Sequence, residues 1–357
     1  MPVGHTTSAH TDERTNVKIG ILTSGGDCPG LNAVIRGAVR KGVRLSGDEF
    51  VGIRDGWRGL LEGDLHPLTT HDVRGISGRG GTVLGTSRTH PYSGGGPDAM
   101  RQAMRDNEID GVIAIGGEGT LAGAARLADD EGLPVVGVPK TIDNDLGSTD
   151  YTFGFDTAAA IATRSIDALR TTAESHHRCM VVEVMGRHVG WIALHAGMAA
   201  GAQAILLPEF PVTMERVAEW VQSARNRGRA PIVVVAEGFV PVGVDAEEGV
   251  AGIAADGRPR LGGIGDYVAA EVERMTGIET RATILGHLQR GGVPTAYDRV
   301  LATRLGLAAV DLVHDASWGY MTSLSGTDII RVPMADAVES LKAVPKERWD
   351  ELEALLG

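Results

Sequence analysis

Short apolar runs, each followed by a turn and an amphipathic segment, recur along the chain and restrict the folds that it can adopt. The first run covers residues 17–23. From Leu31 onward apolar residues recur at helical spacing, with Pro29 expected at the first helical position. Continuous β-branched runs that alternate with helices are typical of parallel sheets covered on both faces, so the pattern predicts an α/β fold. The other predicted strands cover residues 111–115, 134–138, 178–184, 204–208, 231–236 and 280–285.

The length of the chain indicates two lobes, because 357 residues exceed what one compact core usually accommodates. Residues 156–174 are predicted to form a long helix that could carry the chain from one lobe to the other. The glycine-rich stretch 241–263 is expected to be a surface excursion, and residues 1–16 a flexible N-terminal extension.

Composition excludes several classes of function. A net charge of −12 is inconsistent with the chain-wide basic surface typical of nucleic-acid binding, so any cationic site must be local. The two cysteines cannot form a disulfide framework, and reduced thiols are typical of the cytoplasm. The sequence has no signal-peptide pattern and no uninterrupted apolar stretch of membrane-spanning length. We therefore expect a cytoplasmic protein without nucleic-acid or membrane partners.

Two glycine-rich turns, residues 24–30 and 116–120, follow predicted strands, where ligands gather in parallel α/β sheets. Glycines let backbone N–H groups approach an anion, and the helix N-terminus that follows adds a favourable dipole. Glu118 is the only charged residue of the second turn and a natural Mg²⁺ contact. Cys28 is expected to be a packing residue, since no histidine lies nearby to activate it. Taken alone, each turn is equally consistent with an ordinary strand-to-helix connection.

The acidic turn, residues 140–145 with the sequence Lys-Thr-Ile-Asp-Asn-Asp, is more specific. Bringing two carboxylates and a lysine together in one concave site costs free energy. Such a cluster therefore indicates a site whose function uses these charges. Asp143 is the candidate base for a substrate hydroxyl, and Asp145 could orient it or bind metal. Thr141 can hydrogen-bond a transferred phosphoryl group. The alternative is a capped turn with solvated acids.

Basic residues follow two later predicted strands. Arg187 would point a bidentate donor into the cleft, which suits the charge of a phosphoryl group. His287 and Arg290 lie three residues apart and would form a compact anion clamp. Separate basic residues in an otherwise acidic chain suggest two phosphate-bearing ligands. These residues are Arg88, Arg178, Arg281 and Arg290.

Taken together, these motifs closely resemble the bacterial-type 6-phosphofructokinases of the phosphofructokinase A family, with an actinobacterial-like, mixed donor signature. The motifs occur in the family's order and spacing from about residue 18 to about residue 327. The resemblance implies two doubly wound, Rossmann-like lobes with largely parallel sheets and an active site in the cleft between them. The resembling segments are residues 25–32, 116–120, 139–145, 185–187 and 286–292.

The resemblance also implies how the lobes and subunits are arranged. Residues 17–154 with about 289–340 would form the nucleotide-binding lobe, and about 155–288 with 341–357 the sugar-phosphate-binding lobe. The implied assembly is a homotetramer in which a neighbouring subunit completes each active site. The implied reaction is a step of glycolysis, the Mg²⁺-dependent phosphorylation of the 1-hydroxyl of D-fructose 6-phosphate to fructose 1,6-bisphosphate.

Residue roles follow from the same resemblance. Asp143 would deprotonate the sugar hydroxyl with support from Asp145, while Thr141 and Arg187 would position and stabilise the transferring phosphoryl group. Mg²⁺ would bind Glu118, with Asp143 or Asp145 as a further ligand. The residues implied to hold the nucleotide phosphates are Gly26, Arg88, Gly117, Glu118, Gly119 and Thr120. Those implied to hold fructose 6-phosphate are Thr141, Asp143, Met185, Gly186, Arg187, Glu237, His287 and Arg290, with Arg178 and Arg281 reaching its 6-phosphate from the neighbouring subunit.

Two positions give conflicting indications about the phosphate donor. At the position of Gly119, ATP-dependent members of the family carry Gly and pyrophosphate-dependent members carry Asp, which would occupy and repel the space of the ATP α-phosphate. Lys140, by contrast, is usual in pyrophosphate-dependent members. We expect ATP, because exclusion at residue 119 is a stronger filter than one flexible lysine, and pyrophosphate is the alternative. Glu118 stands where the family commonly has Asp, which would shift the Mg²⁺ geometry.

A regulatory site is implied near the first helix. Arg36 and Arg40, one helical turn apart, match positions where effectors bind in the family, which leaves inhibition by a small anion such as phosphoenolpyruvate open. The alternative is an ordinary solvated basic stripe. Gln203 stands where a metal-assisting Glu is common in allosteric members, which argues against activation by ADP.

Two other classes of function are open alternatives. A nucleotide-binding dehydrogenase also uses glycine turns after strands, but the first turn lacks the G-x-G-x-x-G spacing and no acidic residue about twenty positions on stands out. A catalytically inactive sugar-phosphate sensor would have no need of a base. The presence of Asp143, Thr141 and Arg187 therefore favours an enzyme.

Overall fold

The computed structural model describes residues 16–244, 250–253, 259–261 and 263–357. Within these residues the strands are β1 (Lys18–Ser24), β2 (Glu49–Ile53), β3 (Leu65–Pro67), β4 (Gly111–Gly116), β5 (Val135–Thr141), β6 (Phe153–Gly154), β7 (Cys179–Val184), β8 (Ala204–Leu206), β9 (Ile232–Ala236), β10 (Val250–Ile253), β11 (Pro259–Leu261), β12 (Thr280–Ile284), β13 (Tyr320–Ser325) and β14 (Asp328–Pro333). The α-helices are α1 (Leu31–Lys41), α2 (Trp57–Glu62), α3 (Gly96–Asp106), α4 (Glu118–Asp129), α5 (Phe155–His176), α6 (Trp191–Ala200), α7 (Met214–Asn226), α8 (Ile264–Thr276), α9 (Ala296–His314), α10 (Met334–Glu339) and α11 (Lys346–Glu353). Shorter helical segments are a π-helix at Gly42–Ser46 and 3₁₀ helices at Ile76–Gly78 and Gly286–Arg290.

The large sheet has the strand order β14-β13-β5-β4-β1-β2-β3, and β6 pairs with β5 off this path. Its central strands are parallel, while β3 and β14 run antiparallel to their neighbours at the two edges. Successive side chains of a strand point to opposite faces, so both faces of β4 can be apolar and buried. Ile113 and Ile115 share a core cluster with α1 and α9, whereas Val112 and Ala114 share another with α3 and α4.

The small sheet has the order β12-β7-β9-β8, and all of its strands are parallel. All residues of β7 and β9 are buried, which accounts for sequences that are apolar throughout except for Glu183 of β7. Helix α5, with 22 residues, packs along α6 on one side, and α8 packs against β7 and β12. Over the described part of the chain, no helix has both the length and the apolarity to cross a membrane.

The predicted α/β fold with largely parallel sheets is confirmed. Every strand that the apolar runs predicted is present, with bounds that differ by one to three residues, and the predicted long helix is α5. The prediction that α1 begins at Pro29 is wrong, because Gly30 adopts a left-handed conformation with φ of 112° and the helix begins at Leu31. The lobe boundaries stay a prediction.

The sequence analysis missed the strands at the edges of the large sheet. Strands β13 and β14 form an antiparallel hairpin in which polar and apolar residues mix, and β2 and β3 are short. These strands lack the continuous apolar run that identifies a buried parallel strand. In the predicted excursion 241–263, β10 and β11 pair antiparallel. The rest of that stretch beyond residue 244, apart from Gly263, and residues 1–15 of the predicted extension lie outside the described residues.

The chain crosses between the sheets at the start of α5 and returns at the start of α9, and one hydrogen-bonded cluster joins these two helix ends. Asp298 Oδ2 accepts a hydrogen bond from the backbone N–H of Thr157 at 2.8 Å and another from its hydroxyl. Thr295 N donates to Thr157 Oγ1 at 3.0 Å, and Thr295 Oγ1 donates to Asp156 Oδ2 at 2.6 Å. A buried carboxylate at two helix N-termini is favoured by both helix dipoles. We call residues 156, 157, 295 and 298 the crossing cluster.

We predict that Gly30→Ala destabilises the protein by about 3 kcal/mol, since a side chain there is both strained and blocked. Its φ of 112° disfavours L side chains, and an added Cβ would lie 2.6 Å from the ring of Phe153, which is fully buried. Gly132→Ala is the matched control, because Gly132 also has a positive φ, of 63°, but an added Cβ meets nothing within 4 Å. The control should lose about 1 kcal/mol.

Urea denaturation of both variants measures these changes in the free energy of unfolding. Equal losses in the two variants would show that the contact with Phe153 contributes nothing.

Candidate active site

A cavity of about 400 Å³ lies at the carboxyl ends of β1, β4 and β5 of the large sheet. Ligands of parallel α/β sheets bind at this edge. The cavity brings together both glycine-rich turns, most of the acidic turn and Arg290, which come from widely separated parts of the chain. The residues predicted for the site that line it are Gly26, Arg88, Gly117, Glu118, Gly119, Thr120, Lys140, Thr141, Asp143, Asp145 and Arg290.

The first glycine turn is held in place by two cationic side chains. Lys140 Nζ donates a hydrogen bond to the carbonyl of Gly26, and Arg290 Nη1 donates to the carbonyl of Asp27 at 3.2 Å. Cys28 is fully buried, and burial raises the pKa of its thiol well above the usual range. A protonated, inaccessible thiol is a packing residue and not a nucleophile, as the sequence suggested.

The second glycine turn leads directly into helix α4. Gly117 is the residue before the helix, Glu118 is its first residue, and the N–H groups of Thr120 and Leu121 donate to the carbonyl of Gly117. The positive end of the helix dipole is therefore at the cavity. A Cβ built at Gly119 meets nothing within 4 Å, so a larger side chain at this position would extend into open space.

Asp143 lines the cavity two residues after the end of β5. Its N–H donates to Thr141 Oγ1 at 3.0 Å, and among the described residues its Oδ1 is buried with no hydrogen-bond partner. Burial, together with the nearby charge of Asp145, raises the pKa of Asp143 to about 7, although Arg290 and Lys140 act in the opposite direction. A carboxyl group with this pKa can gain and lose a proton near neutral pH.

Lys140 is 4% exposed, and this burial lowers the pKa of its amine. Its ammonium group lies near the side chains of Cys28, Arg290, Asp143 and Asp27. The lysine thus contributes positive charge between the acidic turn and the first glycine turn.

A second group of predicted residues lies at the carboxyl ends of the small sheet. Met185 and Gly186 follow β7, and Glu237 follows β9, with Glu237 N donating to Val184 O at 2.8 Å. The 3₁₀ helix Gly286–Arg290, which includes His287, follows β12. The group also includes Arg187, after Gly186.

Gln289 joins two parts of this second group and was missed in the sequence. Its side chain is fully buried, Oε1 accepts a hydrogen bond from Met185 N at 3.2 Å, and Nε2 donates to Gly286 O at 3.1 Å. A buried glutamine between an exposed histidine and a half-buried arginine carries no signal of its own in a single sequence. It holds the turn after β12 against the turn after β7.

Electrostatic contacts connect the two groups across the cleft. The charge of Glu237 contributes to raising the pKa of Asp143, and Arg290 lowers the pKa of both acids. Burial and the charge of Glu183 raise the pKa of Glu237, whereas Arg187 lowers it. Asp143 of the large sheet and Glu237 of the small sheet are therefore within electrostatic range of each other, and Arg290 acts on both.

Arg178 and Arg281 are not brought to this cleft. Arg178 precedes β7 and Arg281 is the second residue of β12, so both lie at the amino ends of parallel strands. Arg178 Nε pairs with Glu279 Oε2 at 2.9 Å, and Arg281 pairs with the same glutamate. A strand the length of β7 separates the amino and carboxyl ends by about 20 Å. The two arginines therefore cannot reach a ligand held by Met185 of the same chain.

Arg36 and Arg40 line a different cavity, of about 540 Å³. It lies between the first helix and residues 70–75. Two further arginines, Arg44 of the π-helix and Arg74, also line it and were missed in the sequence analysis. Four guanidinium groups around one cavity make a strongly cationic surface.

Known proteins resemble this chain over most of its length. A family model described as Phosphofructokinase matches residues 18–313. A pyrophosphate–fructose 6-phosphate 1-phosphotransferase from Amycolatopsis methanolica is 58% identical over 342 residues, which are 96% of this chain and 100% of that protein. An ATP-dependent 6-phosphofructokinase 3 from Streptomyces coelicolor is 54% identical over 344 residues, covering 95% of this chain and 100% of that protein.

A solved structure gives the same relationship. The structure of phosphofructokinase from Saccharomyces cerevisiae aligns with a TM-score of 0.78 at 32% identity, covering 95% of this chain and 47% of the other. This chain thus spans about half the length of the yeast chain.

We predict that the carboxyl group of Asp143 titrates with a midpoint near 7 in the protein without ligands. Infrared difference spectra, with Asp143→Asn as the reference that lacks the signal, would measure it. Asp145→Asn removes a neighbouring negative charge and should lower the midpoint, whereas Arg290→Met removes a positive charge and should raise it. Shifts of the same sign in the two variants would contradict the described electrostatics.

Proposed function

The chain belongs to the phosphofructokinase family, and from its cleft we propose that it transfers the γ-phosphoryl group of ATP to the 1-hydroxyl of fructose 6-phosphate. The products are fructose 1,6-bisphosphate and ADP, and the reaction is a step of glycolysis. The observation that carries this proposal is Asp143, whose Oδ1 is buried and whose pKa burial raises to about 7, in a cavity bounded by two glycine turns. Because the chain belongs to this family, we no longer propose the alternative of a dinucleotide-dependent dehydrogenase.

The donor occupies the cavity of the large sheet. Backbone N–H groups of both glycine turns, the start of α4 and the Arg88 side chain bind its phosphates. Gly26, Gly117, Gly119 and Thr120 are the turn residues concerned.

The carboxylates of the cavity fit Mg²⁺, the proposed cofactor. No cluster of three or more His, Cys, Asp or Glu side chains occurs in the described ranges, so an all-protein cage is absent there. Mg²⁺ needs only one or two carboxylates when substrate phosphates and water supply its other ligands. Glu118, with Asp143 or Asp145, would hold it. The ion when bound neutralises charge on the donor phosphates.

The chemical step needs a base and a stabilised phosphoryl group. Asp143 accepts the proton of the 1-hydroxyl while the sugar oxygen forms a bond to the γ-phosphorus and the bond to the leaving ADP oxygen breaks. Thr141 donates a hydrogen bond to the phosphoryl group, and Arg187 spreads its charge. Asp145 keeps the pKa of Asp143 high, which makes Asp143 a stronger base.

The sugar phosphate lies at the carboxyl ends of the small sheet, held by Met185, Gly186, Glu237, His287 and Arg290. Because Arg178 and Arg281 lie at the opposite ends of β7 and β12, they serve the 6-phosphate of a neighbouring subunit's site. The active form is therefore an oligomer, and we propose a homotetramer. Each site then needs residues from two chains.

The choice of ATP over pyrophosphate rests on Gly119. Relatives named for either donor have similar identity to this chain, 58% and 54%, so overall similarity does not decide the donor. The space beside Gly119 is open, which leaves room for an α-phosphate. Lys140 hydrogen-bonds the Gly26 carbonyl and does not occupy that space. Pyrophosphate is the alternative donor.

The cavity lined by Arg36 and Arg40 is the proposed effector site, and its charge favours a small anion. Gln203 is engaged elsewhere, with Oε1 accepting from Ile232 N at 2.9 Å and Nε2 donating to Gly201 O at 2.8 Å. The relation to glycolytic enzymes and the two free cysteines also fit a cytoplasmic location.

We predict that wild-type protein phosphorylates fructose 6-phosphate with ATP in a coupled assay, and that Gly119→Asp lowers kcat/KM for ATP by about 10- to 100-fold through repulsion of the α-phosphate. Pyrophosphate, which has no third phosphate in that space, should be used at least as well as by wild type. Gly119→Ala is the matched control, because its Cβ fits and adds no charge. Full ATP activity in the Asp variant would refute the assignment of residue 119.

We predict that Asp143→Asn lowers kcat by about 10²- to 10⁴-fold, because the amide cannot accept the proton. Isothermal titration calorimetry should still detect fructose 6-phosphate binding. Since only the ionised acid is a base, kcat/KM of the wild type should rise with pH through about 7. A variant with wild-type turnover would instead indicate that the carboxylate serves ligand binding alone, as in a sensor.

A further inference from the structure

The chain crosses between the sheets a third time at residues 341–344, which we call the return segment, between α10 and α11. Leu341 forms an isolated antiparallel bridge with Leu146, and Lys342 N donates to Asp145 O at 2.9 Å. On the other side, Lys342 O accepts a hydrogen bond from Trp191 Nε1 at 2.8 Å. The return segment therefore lies between the acidic turn and the start of α6.

The ammonium group of Lys342 is fully hydrogen-bonded. It donates at 2.9 Å to each of three oxygens: Asn144 Oδ1, Thr149 O and Asp150 O. A lysine ammonium has three N–H donors, so this arrangement uses all of them. Burial lowers the pKa of Lys342 to about 8, while Asp150 and Asp145 favour the charged form.

Asn144, the first of these partners, is the residue between Asp143 and Asp145. It is 2% exposed and has a positive φ of 54°, a conformation that non-glycine residues adopt rarely and that tertiary contacts must hold. Its Oδ1 also accepts from Thr152 N at 3.1 Å. Lys342 and Thr152 thus fix the Asn144 side chain from two sides, and with it the backbone that carries Asp143.

The return segment is also tied to the loop that carries Arg187. Val344 N donates to Glu209 Oε1 at 2.9 Å, and Gly190 N donates to both oxygens of the same carboxylate at 3.0 Å. Gly190 is three residues after Arg187, at the start of α6. One short segment is thus bonded to the turn of the base and, through Glu209, to the loop of the phosphoryl-binding arginine.

We infer that Lys342 is a positioning residue for phosphoryl transfer. Through Asn144 it holds the carboxylate of Asp143 in place, and through the return segment it sets the acidic turn against the loop that carries Arg187. It touches neither substrate, so its removal affects the alignment of the reacting groups more than binding. The inference rests on the proposed function of Asp143.

The test is Lys342→Met, which keeps most of the aliphatic stem and removes the ammonium group. Near neutral pH, kcat should fall by about 10- to 100-fold, whereas KM for fructose 6-phosphate and for the donor should change by less than about threefold. Lys346→Met is the matched control, because Lys346 is exposed and pairs with its helix neighbour Asp350. The control should retain wild-type kcat.

The variant Asn144→Gly is a second, independent test of the same inference. Glycine suits the positive φ and removes the acceptor, so the same loss of kcat with little change in KM is expected. Because the Asn144 side chain acts on Asp143 through its contact with Lys342, the double variant should be no slower than the slower single variant. Losses that multiply would overturn the inference, as would wild-type kcat in Asn144→Gly. The Asn144→Gly variant tests the role of Lys342 even if Lys342→Met does not fold.

The outcomes separate this inference from the proposed function. Suppose that the wild type is active, Asp143→Asn is inactive and Lys342→Met is fully active. This result would overturn the role of Lys342 and leave the proposed function standing. An equal rise of KM and fall of kcat/KM in Lys342→Met, with kcat unchanged, would also overturn it, since this pattern marks lost binding. A wild-type protein that phosphorylates no fructose 6-phosphate with ATP or pyrophosphate would overturn the proposed function, and the inference with it.

Discussion

The crossing cluster joins the two halves of the molecule around the buried carboxylate of Asp298, and the cleft depends on it. This carboxylate accepts from Thr157 at the start of α5 and lies in the first turn of α9, so the outgoing and returning helices begin together. Burial raises the pKa of Asp298 to about 6, and the hydrogen bonds from Thr157 act against this rise. Two of the crossings between the sheets are therefore fixed at one place. The return segment is a third connection between the two sheets, and it lies near the acidic turn.

The chemistry of the cleft follows from burying charges of both signs without full pairing. Within the described ranges Asp143 Oδ1 has no hydrogen-bond partner, burial raises the pKa of this acid, and Lys140 is a buried cation beside it. Such an arrangement destabilises a ligand-free protein, and a bound hydroxyl and phosphoryl group would satisfy it. Arg290 lowers the pKa of both Asp143 and Glu237 and so links the proposed sites of the two substrates electrostatically.

The sequence predicted the parts of this structure that depend on local pattern. Continuous apolar runs identified the parallel strands, and the motifs after them identified the family, now confirmed. Many of the residues in those motifs line one cavity, and their roles stay a prediction. Roles that depend on packing between distant segments could not be predicted from the sequence. Gln289 and Lys342 act through hydrogen bonds to residues that lie 104 and 198 positions away in the chain. Arg44 and Arg74 likewise join Arg36 only because the fold places residues 70–75 beside the first helix.

The central claim is that one cleft aligns a base on the large sheet with a sugar phosphate on the small sheet. A crystal structure of the protein with fructose 6-phosphate and a non-hydrolysable ATP analogue tests it most directly. We expect the 1-hydroxyl at about 3 Å from the Asp143 carboxylate and the 6-phosphate against Arg178 and Arg281 of a second copy. A sugar whose 1-hydroxyl points away from Asp143, or whose 6-phosphate is held within a single chain, would contradict the account.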